Sequence, residues 1–348
     1  MHKAQNYTVE SVTNGHPDKV CDQISDAILD ECLKQDAMSR VAIETFGAHG
    51  LLVIGGELTS KAKIDPIKIA RQVYSEIGYS DRLDIVTKIV QQSPDIAQGV
   101  NTGGAGDQGI MYGYATDETE DYLPFGLGLV HQLTKGLADL RTNGYQFLLP
   151  DGKAQITVEN KKITTILIST QHTNDVSQEF LSQFLTENLI KKVIGDINDI
   201  KILINPTGIF LQGGFEADTG LTGRKIMVDT YGGLYPHGGG AFSGKDSSKV
   251  DRSAAYMCRF VAKNLVADAL AKEALVSVAY AIGEAQPLMI EAVNEKGESL
   301  AYIVKEKFDF RPKAIIERLN LRQPIFRVTA TYGHFGHSNY PWEQITNI

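Results

Sequence analysis

Three consecutive glycines, Gly238, Gly239 and Gly240, lead into Gly244-Lys245 within the stretch His237–Asp251. Three missing Cβ atoms let backbone N–H groups come close to a ligand. The run Gly239-x-x-x-x-Gly244-Lys245 is one residue short of a P-loop, because Asp246 stands where a Ser or Thr would ligate Mg2+. Lys225–Thr230 reads as a strand entering the glycines, and Ser248-x-x-Asp251 as a capping box that opens a helix after them. N–H groups at a helix start, with Lys245 and Lys249 beside them, suit a phosphate. Taken alone, the stretch fits a solvated Gly-rich connection equally well.

Other residues of the same chemical type are scattered along the chain. Lys19, Lys153, Arg224, Lys225, Lys245 and Lys249 stand in or near Gly-containing segments, with Asp18, Asp107, Asp218 and Asp251 among them. Cations to meet phosphate oxygens, and carboxylates to hold a hard divalent ion, are the requirements of a Mg2+–polyphosphate site. No Gly-x-Ser-x-Gly elbow and no Cys/His metal spacing competes with that reading. It points to a nucleoside triphosphate substrate.

The elements that must position these groups can be read coarsely. Gly15-His16-Pro17-Asp18-Lys19 opens a helix, with Pro17 at its first position. Val20, Ile24, Ala27 and Ile28 form its apolar stripe. Asp22 and Asp26 follow Asp18 at intervals of four and read as a solvated acidic face, whereas Asp18 sits between His16 and Lys19 in the first turn. Strands are predicted over Arg40–Phe46 and Leu51–Leu58, with Glu44 inside the first and Glu57 ending the second. A helix over Asp65–Gly78 takes Asp65 as N-cap and Pro66 at N1. Gly104-Ala-Gly-Asp-Gln-Gly109 reads as a turn or a ligand loop. Later helices are expected over Leu123–Leu140, Val176–Ile194, Asp251–Leu270, Ser299–Phe308 and Lys313–Leu319. Later strands are expected over Ile156–Val158, Ile163–Ser169, Ile202–Ile204, Val276–Ala281 and Ile325–Thr331. In the Asp251–Leu270 helix, Ala254, Met257, Val261 and Leu265 should face inward, and Arg252, Arg259 and Lys263 outward. Helices and strands come in clusters, which favours an α+β fold.

Bulk properties set limits. The chain has 348 residues, 43% of them hydrophobic and 22% charged, which is ordinary for a globular protein of two or three domains. A net charge of −8 argues against a general nucleic-acid binder. Three cysteines without metal spacing fit a reducing compartment. No apolar run reaches membrane-spanning length and the first residues lack a signal-peptide core, so a cytoplasmic location is expected.

Four segments together resemble the S-adenosylmethionine synthetase family: Glu10-Ser-Val-x-x-Gly-His-Pro-Asp-Lys19, Gly104–Gly109, Gly220-Leu-Thr-Gly-Arg-Lys225 and Gly238-Gly-Gly-Ala-Phe-Ser-Gly-Lys-Asp246. Tyr332-Gly-His-Phe-Gly336 fits the family's C-terminal end, so the resemblance runs from about Glu10 to Trp342. It implies ATP and L-methionine as substrates, joined into S-adenosylmethionine, with the tripolyphosphate then hydrolysed to pyrophosphate and phosphate. It implies three similar α+β domains in a pseudo-threefold arrangement, placed here at residues 1–101, 102–217 and 218–348, with interleaving between them left open. It implies a homodimer, or a homotetramer built as a dimer of dimers, with active sites shared between subunits. Asp18 and Asp251 match its Mg2+ ligands, at about two ions per site, and Glu44 its K+ ligand. His16, Lys153, Arg224, Lys225, Lys245 and Lys249 match the residues that grip the triphosphate. Glu57, Gln98 and Asp107 match methionine-binding residues, a set that Asp218 and Lys249 also join. Phe210 matches the aromatic that packs on adenine, and Asp218 and Ile282 line the same pocket. Three features depart from the family pattern. The segment Val100–Gly103 is shorter than the usual lid, Ile209 stands where an Arg is common, and Phe215 replaces a common Pro. Two other readings stay open on residues alone: a P-loop-like kinase or NTPase using Lys245 and Asp246, and a non-catalytic partner subunit on the same fold.

Overall fold

The computed structural model describes residues 5–91 and 103–346. Its strands in chain order are β1 (Asn6–Val12), β2 (Arg40–Ala48), β3 (Leu51–Thr59), β4 (Asp84–Val90), β5 (Gly109–Thr116) and β6 (Leu148–Glu159). β7 (Lys162–His172), β8 (Lys201–Ile204), β9 (Gly220–Leu221), β10 (Glu273–Tyr280) and β11 (Met289–Asn294) follow. They form three sheets, ordered β1-β6-β7-β8, β11-β10-β5 and β4-β3-β2-β9. Each sheet draws on distant stretches of chain: β1 pairs antiparallel with β6, β5 with β10, and β2 with β9. With helices between the sheets, the fold is α+β.

Two helices carry the centre. α1 (Pro17–Gln35) starts where the sequence places it: His16 is the N-cap, Pro17 is at the first position, and the His16 ring accepts the Asp18 N–H at 3.2 Å. α2 (Pro66–Ile77) is capped by Asp65, which accepts the Lys68 N–H at 3.0 Å. α3 (Phe125–Thr142) packs against β1 and β6. α4 (Val250–Ala267) buries every residue from Arg252 to Val266. Ala254, Met257, Val261 and Leu265 point inward as expected, but Arg252, Arg259 and Lys263 are buried too. The expectation of a solvated basic face is therefore wrong. α4 is enclosed by β5, β10 and the C-terminal segment, and its cations are neutralised by partners remote in sequence. Arg252 binds Asp26, while Arg259 and Lys263 bind Glu343. A buried charge persists only with such a partner.

Two predicted strands are helical turns. Lys225–Thr230 contains a short helix, Ile226–Asp229, because the Gly232 N–H turns back to Met227 O and the Asp229 carboxylate is fixed on Lys19. Ile325–Thr331 contains a 3-10 helix at Arg327–Ala330, because the Asp30 carboxylate gathers the Phe326 and Arg327 N–H groups, each at 2.9 Å. The predicted capping box is also absent: the helix begins after Lys249, with no side-chain cap, and Asp246 takes the Ser248 N–H. β1, β4, β5, β9 and β11 lie outside the strands read from the sequence.

Candidate active site

The start of α1 holds the first group of site residues. Asp18 is 1% exposed, and its carboxylate accepts the Leu221 N–H at 3.0 Å. Lys225 Nζ lies 2.5 Å from the same carboxylate and Arg224 Nε 3.4 Å. β9 can cross this turn because position 220 is glycine: a Cβ there would sit 2.2 Å from the Pro17 carbonyl oxygen. Lys153 is on β6, opposite Val12 at the end of β1, and so faces the same turn. His16 senses all of this. Burial first, then the Lys225 and Lys153 charges, push its pKa down to about 2, against a weaker opposing pull from Asp218. The imidazole is neutral, with cations around it. The unfolded chain protonates this ring near pH 6.5 and the folded chain does not, so His16 contributes stability above pH 6.5 and withdraws it as the pH falls towards 2. The expected NMR result is a His16 ring resonance that does not titrate between pH 8 and 5 in the free protein. A midpoint near 6.5 would show that the ring is solvated.

The second group lies where the glycine stretch meets α4. Lys245 Nζ is 2.7 Å from Asp251, and Lys249 Nζ is 2.5 Å from Asp246. Glycine at position 240 leaves room for Asp251 to reach Lys245, since a Cβ would lie 2.1 Å from Asp251 Oδ1. The loop is not a P-loop. The Gly244 N–H is spent on Asp26, the Lys245 N–H on Phe242 O, and Asp246 accepts the Val41 N–H at 2.7 Å. Those N–H groups cannot cradle a phosphate, and Asp246 is 3% exposed and saturated by its donors. This removes a P-loop phosphate cradle at Lys245-Asp246. The Gly104–Gly109 loop carries exposed Asp107 and is tied to the loop of Ile282 by the bonds Ala105 N–H to Glu284 O and Gly283 N–H to Ala105 O, at 2.9 and 2.8 Å.

One sheet face connects the two groups. Ala42, Glu44 and Phe46 alternate outward along β2, away from α1. Glu57 on β3 pairs with Ala42, which also bridges Lys245, and Leu221 pairs with Phe46. Glu44 therefore sits midway between the groups on an open face. Four strand residues separate Leu221 from Lys245 across β2, or about 13 Å. Asp18 and Asp251 share no partner among the described residues. Among those residues, no three His, Cys, Asp or Glu side chains converge on a metal site either. Half-buried Phe210 lies along the first group's sheet, exchanging backbone and ring bonds with His172. Gln98 and residues 100–102 lie outside the described residues.

Family models for the N-terminal, central and C-terminal domains of S-adenosylmethionine synthetase match residues 4–96, 102–210 and 212–344. This chain belongs to the S-adenosylmethionine synthetase family. An S-adenosylmethionine synthase of Petrotoga mobilis is 49% identical to it, covering 98% of this chain and 96% of its own. The synthases of Mycoplasma mycoides subsp. mycoides and Mesoplasma florum are 49% and 48% identical over 98% of this chain, covering 95% and 98% of their own.

The family's motifs hide residues that only the structure exposes. Asp22 and Asp26 are fully buried, contrary to the solvated face expected for them. Lys19 is no ligand cation: it is enclosed between Asp22 and Asp229. Burial opposes its charge, but those two carboxylates more than offset it and hold the pKa above the ordinary lysine value. Asp151, next to Lys153 in the chain, was missed. It accepts the Gly214 N–H at 2.9 Å, and burial raises it to about 6. Its only sequence signal was adjacency to Gly152-Lys153. Phe215, which departs from the family's proline, is buried and stacks on Tyr74 at 5.6 Å, filling space left open by Gly47. Ile209, the other departure, is exposed.

Proposed function

We propose that this chain makes S-adenosylmethionine by attack of the methionine sulfur on C5′ of ATP, and then hydrolyses the tripolyphosphate so released. The observation that carries this reading is a neutral His16 held among Lys153, Arg224 and Lys225 at one end of a sheet face, with Lys245 and Lys249 at the other end. A thioether carries no proton, so its attack needs no general base. The leaving triphosphate is the difficulty, and fixed cations aimed at its developing charge supply the acceleration. His16, being neutral, can donate one hydrogen bond to the departing bridging oxygen without competing for protons. Hydrolysis of the tripolyphosphate uses the same cations.

The donor set suits magnesium. Asp18 and Asp251 each offer hard carboxylate oxygen beside cations, and Mg2+ is commonly held by one or two carboxylates plus substrate phosphates. There it would neutralise phosphate charge as a Lewis acid. In this reading Glu44 holds K+, Glu57 and Asp107 receive methionine, and Phe210 with Asp218 and Ile282 receives adenine.

A second copy would complete the site. The outer face of the β4-β3-β2-β9 sheet leaves Phe46 38%, Val86 53% and Val90 51% exposed. A twofold axis lying in such a face and running across its strands would set one copy's Asp18 end against the other's Lys245 end. That pairing joins groups separated by about 13 Å within one chain.

The test is to incubate the protein with ATP, Mg2+ and methionine, omit each in turn, and weigh the product. The sulfonium product and phosphate should appear only with all three. Phosphate release without methionine would favour an NTPase, and nucleotide binding with no turnover would favour a non-catalytic subunit.

A further inference from the structure

Asp18 belongs to a ladder of four buried aspartates on α1: Asp18 and Asp22 clamp the Leu221–Lys225 segment, and Asp26 and Asp30 each clamp a further one. Asp22 Oδ1 accepts the Gly223 N–H at 2.8 Å, next to Arg224 and Lys225. Asp26 Oδ1 accepts the Gly244 N–H at 2.8 Å, next to Lys245. Asp26 also pairs with both terminal nitrogens of Arg252, at 2.6 and 2.8 Å, and Arg252 donates in turn to the Lys245 carbonyl at 3.1 Å. Arg252 is fixed from its far side by Tyr256, whose hydroxyl meets its Nε at 3.0 Å and His334 Nδ1 at 2.8 Å. Asp30, one turn further on, clamps Phe326 and Arg327, which carry no proposed site residue.

We infer that α1 works as a rigid spacer between the two cation groups, with Asp26 as the positioning residue that sets Lys245 and its neighbours at a fixed distance from His16 and Asp18 of the same chain, so that in a twofold pair each group meets its opposite on the second copy. Eight helical residues from Asp18 to Asp26 span about 12 Å, close to the separation of the two groups on the sheet face. The carboxylates hold backbone N–H groups and a guanidinium in a dry interior, where such bonds are strong and directional. Asp26 itself touches no substrate in this arrangement. The idea rests on the reaction proposed above. It adds that catalytic geometry is set by a buried bond two helical turns behind Asp18.

The test compares neighbouring rungs. Asp26→Asn should lower kcat for both synthesis and tripolyphosphate hydrolysis by about 10², with KM for methionine nearly unchanged. Asp30→Asn should lose comparable thermal stability yet keep kcat within about twofold, since its loop reaches Lys245 only through Arg252, by Phe326 at 4.3 Å and Thr329 at 3.2 Å, and Asp26 and Tyr256 still hold that guanidinium. Arg252→Lys, which keeps the charge and one bond to Asp26, should give an intermediate fall in kcat. In the unaltered protein, hydrogen exchange at the Gly244 amide should be strongly protected, and this readout needs no variant to fold. Asp30→Asn reducing kcat as much as Asp26→Asn would overturn the inference. So would near-normal kcat in both Asp26→Asn and Arg252→Lys, or a Gly244 amide exchanging like an exposed loop. If the unaltered protein forms no sulfonium product, the proposed reaction fails, while Gly244 exchange still reports on the spacer.

Discussion

Lys245→Ala is expected to lower turnover by about 10²–10³, the usual cost of deleting one donor aimed at developing charge, while leaving the fold intact. Lys245 is bound in place on three sides. Its backbone bridges Ala42 on β2, its carbonyl accepts from Arg252, and its ammonium lies 2.7 Å from Asp251. The ammonium is partly open to solvent, and its contribution to stability through Asp251 is at most about 1 kcal/mol. The alanine variant should therefore melt within a few degrees of the parent. Steady-state kinetics with ATP and methionine, read beside a thermal melt, checks both halves. Near-normal turnover in a folded variant would show that Lys245 does not face the leaving triphosphate.

Glu343→Gln should have the largest effect on stability, about 3–5 kcal/mol. Glu343 meets Arg259 Nε at 2.8 Å and Nη2 at 2.9 Å, Lys263 Nζ at 2.8 Å and the Gly336 N–H at 2.9 Å. Burial alone would raise its pKa, but the Arg259 and Lys263 charges outweigh burial and hold it below the ordinary glutamate value. The amide keeps the shape but removes the carboxylate that pairs directly with two buried cations. Urea unfolding should show the loss at pH 7. The sign with pH follows from the depressed pKa: the carboxylate's contribution is present above the ordinary glutamate value of 4.5 and is lost as the pH falls through the lower folded value. A change under about 1 kcal/mol would mean that α4's cations are neutralised elsewhere.

The start of α1 was legible because its proline acts locally. The same holds for α2, whose aspartate cap and proline sit side by side. Patterns that depend on distant partners misled. Asp22 and Asp26 look like a solvent face when α1 is viewed alone, because nothing within one helix reveals Arg252 or the Gly244 N–H. Arg252, Arg259 and Lys263 look exposed for the same reason. Lys225–Thr230 and Ile325–Thr331 carry strand-forming side chains, but Lys19 and Asp30 fold them into turns through contacts that propensity does not encode. The cations of the site were recognisable by type and by their glycine settings. Their division into two groups was not, because it depends on the register of β2 against β9 and against the Lys245 loop.

The pairing of β1 with β6 also governs how the protein comes into being on the ribosome. Val12 pairs across with Lys153, so β1 must wait while roughly 140 further residues are added, on the order of ten seconds at typical elongation speeds. Until then its hydrogen-bonding edge stays open to chaperones or to other nascent chains. Severing the gene product into consecutive pieces would therefore separate strands from their partners instead of releasing modules that fold alone.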